Sequence, residues 1–153
     1  MTEKEVQSVL LNTLRFNQDA IYKIDTFCRE VFDYNKKFNL ISKSTEINIW
    51  DRHVLDSAQL VKYIEFKDDL SLSDLGTGAG FPGLVLAIFN RNPRFHVKLY
   101  EKSRVKVKFL RAVCEKLNIT VHIYDGDYKD HNINSSYIVS RAFKKLEEHL
   151  RIS

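Results

Sequence analysis

Four of the chain's five glycines, Gly76, Gly78, Gly80 and Gly83, fall within the segment Asp74-Leu75-Gly76-Thr77-Gly78-Ala79-Gly80-Phe81-Pro82-Gly83. It lies between a run with strand character and a run with helical character, and it constrains the fold more than any other stretch. Glycine reaches positive-φ conformations that other residues avoid, so the chain can turn sharply here and present bare backbone to a ligand. A helix that starts immediately afterwards offers amides without intrahelical acceptors, suited to a carboxylate or phosphate. Strand, glycine turn and helix in that order open a βαβ unit.

The surrounding pattern agrees. From Leu70 onward short apolar runs alternate with helical stretches, which predicts a parallel sheet. Strands are predicted at Ser71 to Asp74, Phe95 to Tyr100, Ile119 to Tyr124 and Tyr137 to Ser140. Helices are predicted from Pro82 to Asn90 and from Ser103 to Leu117, with a short turn near Lys129. Phe109, Leu110, Val113 and Leu117 give the second of these its buried stripe, and Pro82 suits a first helical turn, where a missing amide costs nothing. Upstream the periodicity is helical throughout. One helix is predicted from Glu3 to Leu14. A second, from about Asp19 to Lys37, has an apolar stripe read as Ile21, Ile24, Cys28, Val31, Phe32 and Phe38. After the break at Asn39-Leu40-Ile41-Ser42, a third helix capped by Ser44 or Thr45 should carry Ile49, Val54, Leu55, Ala58, Val61 and Ile64. The expected organisation is an N-terminal helical cap (residues 1–68) on an α/β core (residues 69–153), together one compact unit.

Composition excludes several classes. The 153 residues are 44% hydrophobic and 29% charged, enough apolar surface for a single core and too little bias for disorder. No stretch approaches the ~18 apolar residues of a membrane helix, and Met1 to Lys4 lacks the start of a secretory signal, so a soluble, cytoplasmic protein is expected. Cys28 and Cys114 have no CxxC spacing and no neighbouring histidines; they read as buried free thiols, with no metal site. A net charge of +4 permits nucleic-acid binding without requiring it. The basic residues cluster, however: Lys102, Arg104, Lys106, Lys108 and Arg111 in one group, Arg141, Lys144, Lys145 and Arg151 in another. Each cluster reads equally well as a solvated face or a phosphate-contacting one.

Gly78, Gly80 and Gly83 satisfy the G-x-G-x-x-G dinucleotide pattern, while Gly76, Gly78 and Gly80 satisfy a G-x-G-x-G pattern that resembles methyltransferase motif I. Three carboxylates favour the second. Asp74, two positions before the first glycine, resembles the group that receives the methionine ammonium, directly or through water. Glu101, at the end of the second strand, is placed to accept both ribose hydroxyls, a role common to either ligand. Asp127, in Asp125-Gly126-Asp127, resembles the acceptor of an adenine amine. Taken singly, Asp127 reads equally as a solvated turn residue, and Phe81 as a cofactor wall or a core plug.

Read together, Asn39-Leu40-Ile41-Ser42, Arg52-His53-Val54-Leu55-Asp56-Ser57, the loop DLGTGAGFPG, Arg104 to Arg111 (RVKVKFLR) and Ser140-Arg141-Ala142-Phe143 are similar, in the same order, to the bacterial 16S ribosomal RNA guanine 7-nitrogen methyltransferases, also called the glucose-inhibited division protein B family. The resemblance runs from about Asn39 to Phe143. It implies a class I methyltransferase (Rossmann-like) fold, S-adenosyl-L-methionine as cofactor, and 16S ribosomal RNA or the small ribosomal subunit as partner, with the protein acting as a monomer. It further implies Gly76 and Phe81 as cofactor contacts, Asp127, Tyr128 and Lys129 as lining of the cofactor pocket, and Arg141 as the catalytic-site arginine. Relatives often carry an arginine followed by small and acidic residues where this chain has Asp127-Tyr128-Lys129. They also continue for roughly another third of this length, supplying two final antiparallel strands, so the strand at Tyr137 is expected to be left uncovered.

A guanine 7-nitrogen carries an available lone pair, so methyl transfer to it needs alignment more than a general base. Arg141 is therefore assigned a phosphate, guanine-edge or cofactor-carboxylate contact. His53 and Asp56, three apart on a helix, share a face; they read first as a buried pair joining cap to sheet, and second as participants in the chemistry. Trp50 and Tyr22 read as core residues before base-stacking ones. Two other functions compete with methylation. One is a nicotinamide-dependent oxidoreductase, for which no convincing Ser-Tyr-Lys or His arrangement is present. The other is a shortened, non-catalytic relative that binds cofactor or ribosomal RNA.

Overall fold

The computed structural model describes residues 1–140. Four strands, β1 (Ser71–Leu75), β2 (His96–Glu101), β3 (His122–Asp125) and β4 (Tyr137–Val139), form one sheet in the order β3-β2-β1-β4, with every neighbouring pair parallel. Asp74 pairs in register with Leu99 on one side and Val139 on the other, and Glu101 pairs with Asp125, so the carboxyl ends of the strands finish nearly level. The chain moves from β1 to β2 on one side and returns to β4 on the other. That reversal opens a crevice beyond the end of β1, where open α/β sheets bind ligands.

Helix ends follow their capping chemistry. α1 (Glu3–Asn12) opens on a reciprocal capping box between Thr2 and Glu5, and α2 (Gln18–Asn35) on Asn17, whose Oδ1 accepts the Ala20 N–H at 2.7 Å. α5 (Gly83–Phe89) follows the glycine loop, with Pro82 at the cap position rather than inside the helix. α6 (Arg104–Leu117) is capped by Ser103 and ends on Asn118, at φ 55° in the left-handed region. Leaving the helix there takes up the next residues, and β3 starts at His122 instead of the expected Ile119.

Two departures concern the cap. Phe32 of α2 and Phe38, just beyond its end, are expected in the core but are 46% and 42% exposed, whereas Phe27 is fully buried. The buried face is centred on Ile24 and Val31, and at 3.6 residues per turn it takes in Phe27 and Cys28 and turns Phe32 outward. The expected third helix is broken into α3 (Lys43–Glu46), a π-helical turn (Trp50–Leu55), α4 (Asp56–Ala58) and a 3-10 turn (Gln59–Tyr63). A π turn holds more residues than an α turn. Trp50, His53, Val54 and Leu55 of this turn are all buried, Leu55 widening the stripe that Trp50, His53 and Val54 share. Neither Ser44 nor Thr45 caps this region: Ser42 holds the cap position, and the Thr45 hydroxyl donates to the Ser42 carbonyl at 3.1 Å.

One contiguous core joins Val6 and Leu10 of α1 and Ile24 and Phe27 of α2 to Leu72 and Leu99 of the sheet and Leu110 of α6. The cap and the sheet therefore share their interior. Cys28 and Cys114 are buried free thiols. No described helix is long and apolar enough to cross a membrane.

Candidate active site

The end of β1 turns on its own backbone. The Gly76 and Thr77 N–H groups both donate to the Tyr100 carbonyl at the tip of β2 (2.9 and 3.0 Å), and Gly80 and Phe81 N–H both return to the Thr77 carbonyl. Gly76, Gly78 and Gly80 have φ of 74°, 61° and 114°, conformations that a side chain would strain. The glycines serve different ends. A Cβ on Gly78 would meet nothing within 4 Å, so that side of the loop is open. At Gly83 a Cβ would lie 2.3 Å from Leu99 Cδ2 and 2.8 Å from Asp74 Oδ2; that glycine lets α5 close on the sheet. Gly80 is crowded in the same way by Phe27, Leu84 and Leu110.

A cavity of about 230 Å³ opens on one side of the loop. Gly76 and Gly78 form one wall, Glu101 and Lys106 another, and Gly126, Asp127 and Tyr128 the far rim. Glu101 is only 7% exposed and is held rigidly: its Oε1 accepts the Gly78 N–H and its Oε2 the Ser103 N–H, both at 2.8 Å. A carboxylate oxygen has more than one lone pair, so both retain capacity for a hydroxyl. Asp127 precedes a 3-10 turn (Tyr128–Asp130) and accepts the Lys129 N–H on Oδ1 at 3.0 Å. Tyr100, also lining this cavity, stacks on Tyr124 with ring centroids 4.7 Å apart, and burial pushes its phenol above the ordinary tyrosine range.

Across the loop lies a second cavity of about 220 Å³, which shares Gly76 and Gly78 with the first. Its other walls are Thr77, Ala79 and Phe81 of the loop, and Leu40, Ile41 and His53 of the cap.

Glu101, Asp127 and Tyr128 thus meet Gly76 and Gly78 around one space, and Phe81 faces the adjoining one. Asp74 lies beneath the loop: it is 0% exposed, lines neither cavity, and accepts the Gly83 N–H on Oδ2 at 2.8 Å, anchoring the start of α5. Gly80 serves packing, and Lys129 is exposed outside both cavities. Arg141 and the second basic cluster lie outside the described residues. His53 is buried and Asp56 exposed, so the two do not form a buried pair; Trp50 belongs to the core and Tyr22 is 70% exposed.

The sequence did not place Tyr100, Lys102 or Lys106 in the first cavity, although Tyr100 adjoins Glu101 and both lysines belong to the first basic cluster. It also missed Asn35, a buried residue at the end of α2 whose Oδ1 accepts the Leu40 and Ile41 N–H groups (2.8 and 3.1 Å) and so sets one wall of the second cavity. A polar residue in an otherwise apolar helix face was the signal available.

The basic residues of α6 also find their places. Lys102, just before the helix, and Arg104, Lys108 and Arg111 on it are exposed, and none has an acidic partner within 4 Å among the described residues. The first turn of α6 contains no acidic residue, although the helix dipole favours one there.

A parallel sheet in this order, with a glycine loop after β1 and carboxylates at the tips of its neighbours, defines a class I methyltransferase-type α/β fold. The solved structure of a protein-L-isoaspartate O-methyltransferase shares it, with a TM-score of 0.60 over 91% of this chain and 47% of that one at 12% identity. The chain belongs to the rRNA small subunit methyltransferase G (GidB) family, whose family model matches residues 20–153. Similar curated relatives, each named ribosomal RNA small subunit methyltransferase G, include those of Pelagibacter ubique (32% identical over 90% of this chain), Rickettsia felis (38% over 84%) and Bartonella henselae (34% over 98%). The chain spans 66%, 65% and 71% of their respective lengths.

Proposed function

We propose that this chain binds S-adenosyl-L-methionine and serves the methylation of a guanine 7-nitrogen in 16S ribosomal RNA, as free RNA or in the small ribosomal subunit, in the cytoplasm and as a monomer. The observation that carries this reading is the convergence of Glu101 and Asp127, from adjacent strand tips, on a cavity walled by the open side of Gly78. Two acceptors of that kind fit a ligand with a ribose diol and an exocyclic amine.

In this reading Glu101 binds the ribose hydroxyls and Asp127 the adenine amine, with Tyr128 closing the rim and Gly76 and Phe81 bordering the rest of the cofactor. Asp74 acts from below by holding the α5 start and loop in place, its charge favouring an ammonium above. When bound, the cofactor supplies an electrophilic methyl group on a sulfonium centre. The chain's own task is alignment: the guanine lone pair needs no base, and in-line positioning of the reacting atoms provides most of the rate. Arg141 is assigned, by family resemblance, to a phosphate, guanine-edge or cofactor-carboxylate contact. The unpaired cations of α6 supply attraction for an RNA backbone.

Calorimetry with S-adenosylhomocysteine tests the cofactor, and methyl incorporation into purified small ribosomal subunits tests the transfer. Binding heat and label in guanine are expected. A chain that gives neither refutes the reading, and heat without label separates cofactor binding from transfer.

A further inference from the structure

The second cavity has more construction than its reading as a boundary of the cofactor site requires. His53 is buried, its Nε2 2.8 Å from Thr45 Oγ1 and its ring against Phe81 with centroids 4.9 Å apart and planes tilted by 33°. Thr45 Oγ1 is itself tied to Ser42, 3.1 Å from its carbonyl and 2.8 Å from its hydroxyl, so His53 is anchored to the turn that opens α3. The opposite wall, Leu40 and Ile41, is pinned by Asn35. Thr77 completes the loop side; it is 2% exposed, and its hydroxyl has no hydrogen-bond partner. A buried hydroxyl left unpaired is costly, and such groups are retained in sites where a ligand satisfies them.

We infer that the cavity bounded by His53, Thr77 and Phe81 seats the acceptor base, a flat purine with a hydrogen-bonding edge, and that His53 and Thr77 fix its orientation. This rests on the reading of the chain as a guanine methyltransferase. The wall chemistry supports a base over the charged end of an amino acid. Two rings and two aliphatic side chains suit a flat aromatic ligand, and no lysine or arginine lies among the described residues that line the cavity. Position supports it as well. The two cavities share Gly76 and Gly78 as a common wall, so groups held in them meet at the loop backbone. Guanine also has an edge oxygen, O6, that can accept a hydroxyl proton while its 7-nitrogen stays available.

The test uses this chain saturated with S-adenosylhomocysteine, and saturation-transfer NMR with guanosine monophosphate, adenosine monophosphate serving as control. Thr77→Val removes only the hydroxyl, Thr77→Ser restores it, and His53→Phe keeps a ring against Phe81 while removing the link to Thr45. Guanosine monophosphate should bind the wild type and weaken at least fivefold in Thr77→Val and His53→Phe, with Thr77→Ser close to wild type. Adenosylhomocysteine affinity should stay within twofold. The melting temperature of Thr77→Val should hold or rise, since no native hydrogen bond is lost. A Thr77→Val protein that melts lower and still binds guanosine monophosphate overturns the inference, as does one that loses tenfold in adenosylhomocysteine affinity. No detectable guanosine monophosphate binding to the wild type overturns it too. If the wild type fails to bind adenosylhomocysteine at all, the parent reading falls as well, so the two failures are distinguishable.

Discussion

Replacing Glu101 with glutamine changes one atom, and its consequences can be worked from two hydrogen bonds. The native carboxylate accepts the Gly78 and Ser103 N–H groups, each at 2.8 Å, on separate oxygens. A carboxamide can accept only one of them; its NH₂ then faces the other N–H, donor against donor, in a site 7% exposed. One charge-assisted bond is lost and one buried N–H goes unpaired, a cost of about 2–3 kcal/mol. For a chain of this size that lowers the melting temperature by roughly 5–10 °C. The same substitution halves the acceptor capacity facing the cavity, so S-adenosylhomocysteine affinity should fall at least about tenfold, equivalent to about 1.4 kcal/mol. Thermal unfolding followed by circular dichroism and calorimetric titration read the two effects separately. A variant that melts within a degree of wild type and binds with unchanged affinity refutes both roles, while lower stability with intact affinity would leave Glu101 as a brace of the loop only.

Gly83→Ala should destabilise by about 1–3 kcal/mol through overpacking against Leu99 and Asp74, measured by urea denaturation. Gly78→Ala, with open space around its Cβ, should cost about 1–2 kcal/mol of left-handed strain and also weaken adenosylhomocysteine binding; unchanged affinity in Gly78→Ala would contradict its place in the cavity wall. Burial raises the Cys114 thiol from 9.0 to about 12 and pushes Cys28 up further, so both should resist a thiol reagent at pH 8 until the chain unfolds. Because the folded state keeps protons that the unfolded state releases above pH 9.0, stability should fall with rising pH, by about 1.4 kcal/mol per pH unit per thiol, a slope for Cys114 that ends near pH 12. A flat pH 9–11 stability profile in wild type, matching that of Cys28→Ala/Cys114→Ala, would count against this. Reversing Lys108 and Arg111 to glutamate should weaken binding to small-subunit RNA fragments and reduce the logarithmic salt dependence by about one per residue, with adenosylhomocysteine affinity unchanged; an unaltered salt slope would remove α6 from the RNA surface.

What the sequence determined by itself was local. Period-two and period-3.6 patterning located the four strands and the helices α2, α5 and α6, because side-chain direction within one element depends only on that element's own repeat. The glycine loop and Glu101 could be placed for the same reason: a tight turn after a strand, and a carboxylate at the next strand's tip, are set by neighbours in the chain. Other outcomes depended on residues distant in the chain. The break of the third helix into a π turn and short segments, the substitution of Phe27 for Phe32 in the core, and the hold of Asn35 on Leu40 and Ile41 all follow from how the cap packs against the sheet. Asp74 shows the division within a single residue. Its place before the first glycine was plain from the sequence, but its full burial beneath the loop was decided by α5 closing on β2 at Gly83, a contact between elements whose distance no local pattern encodes.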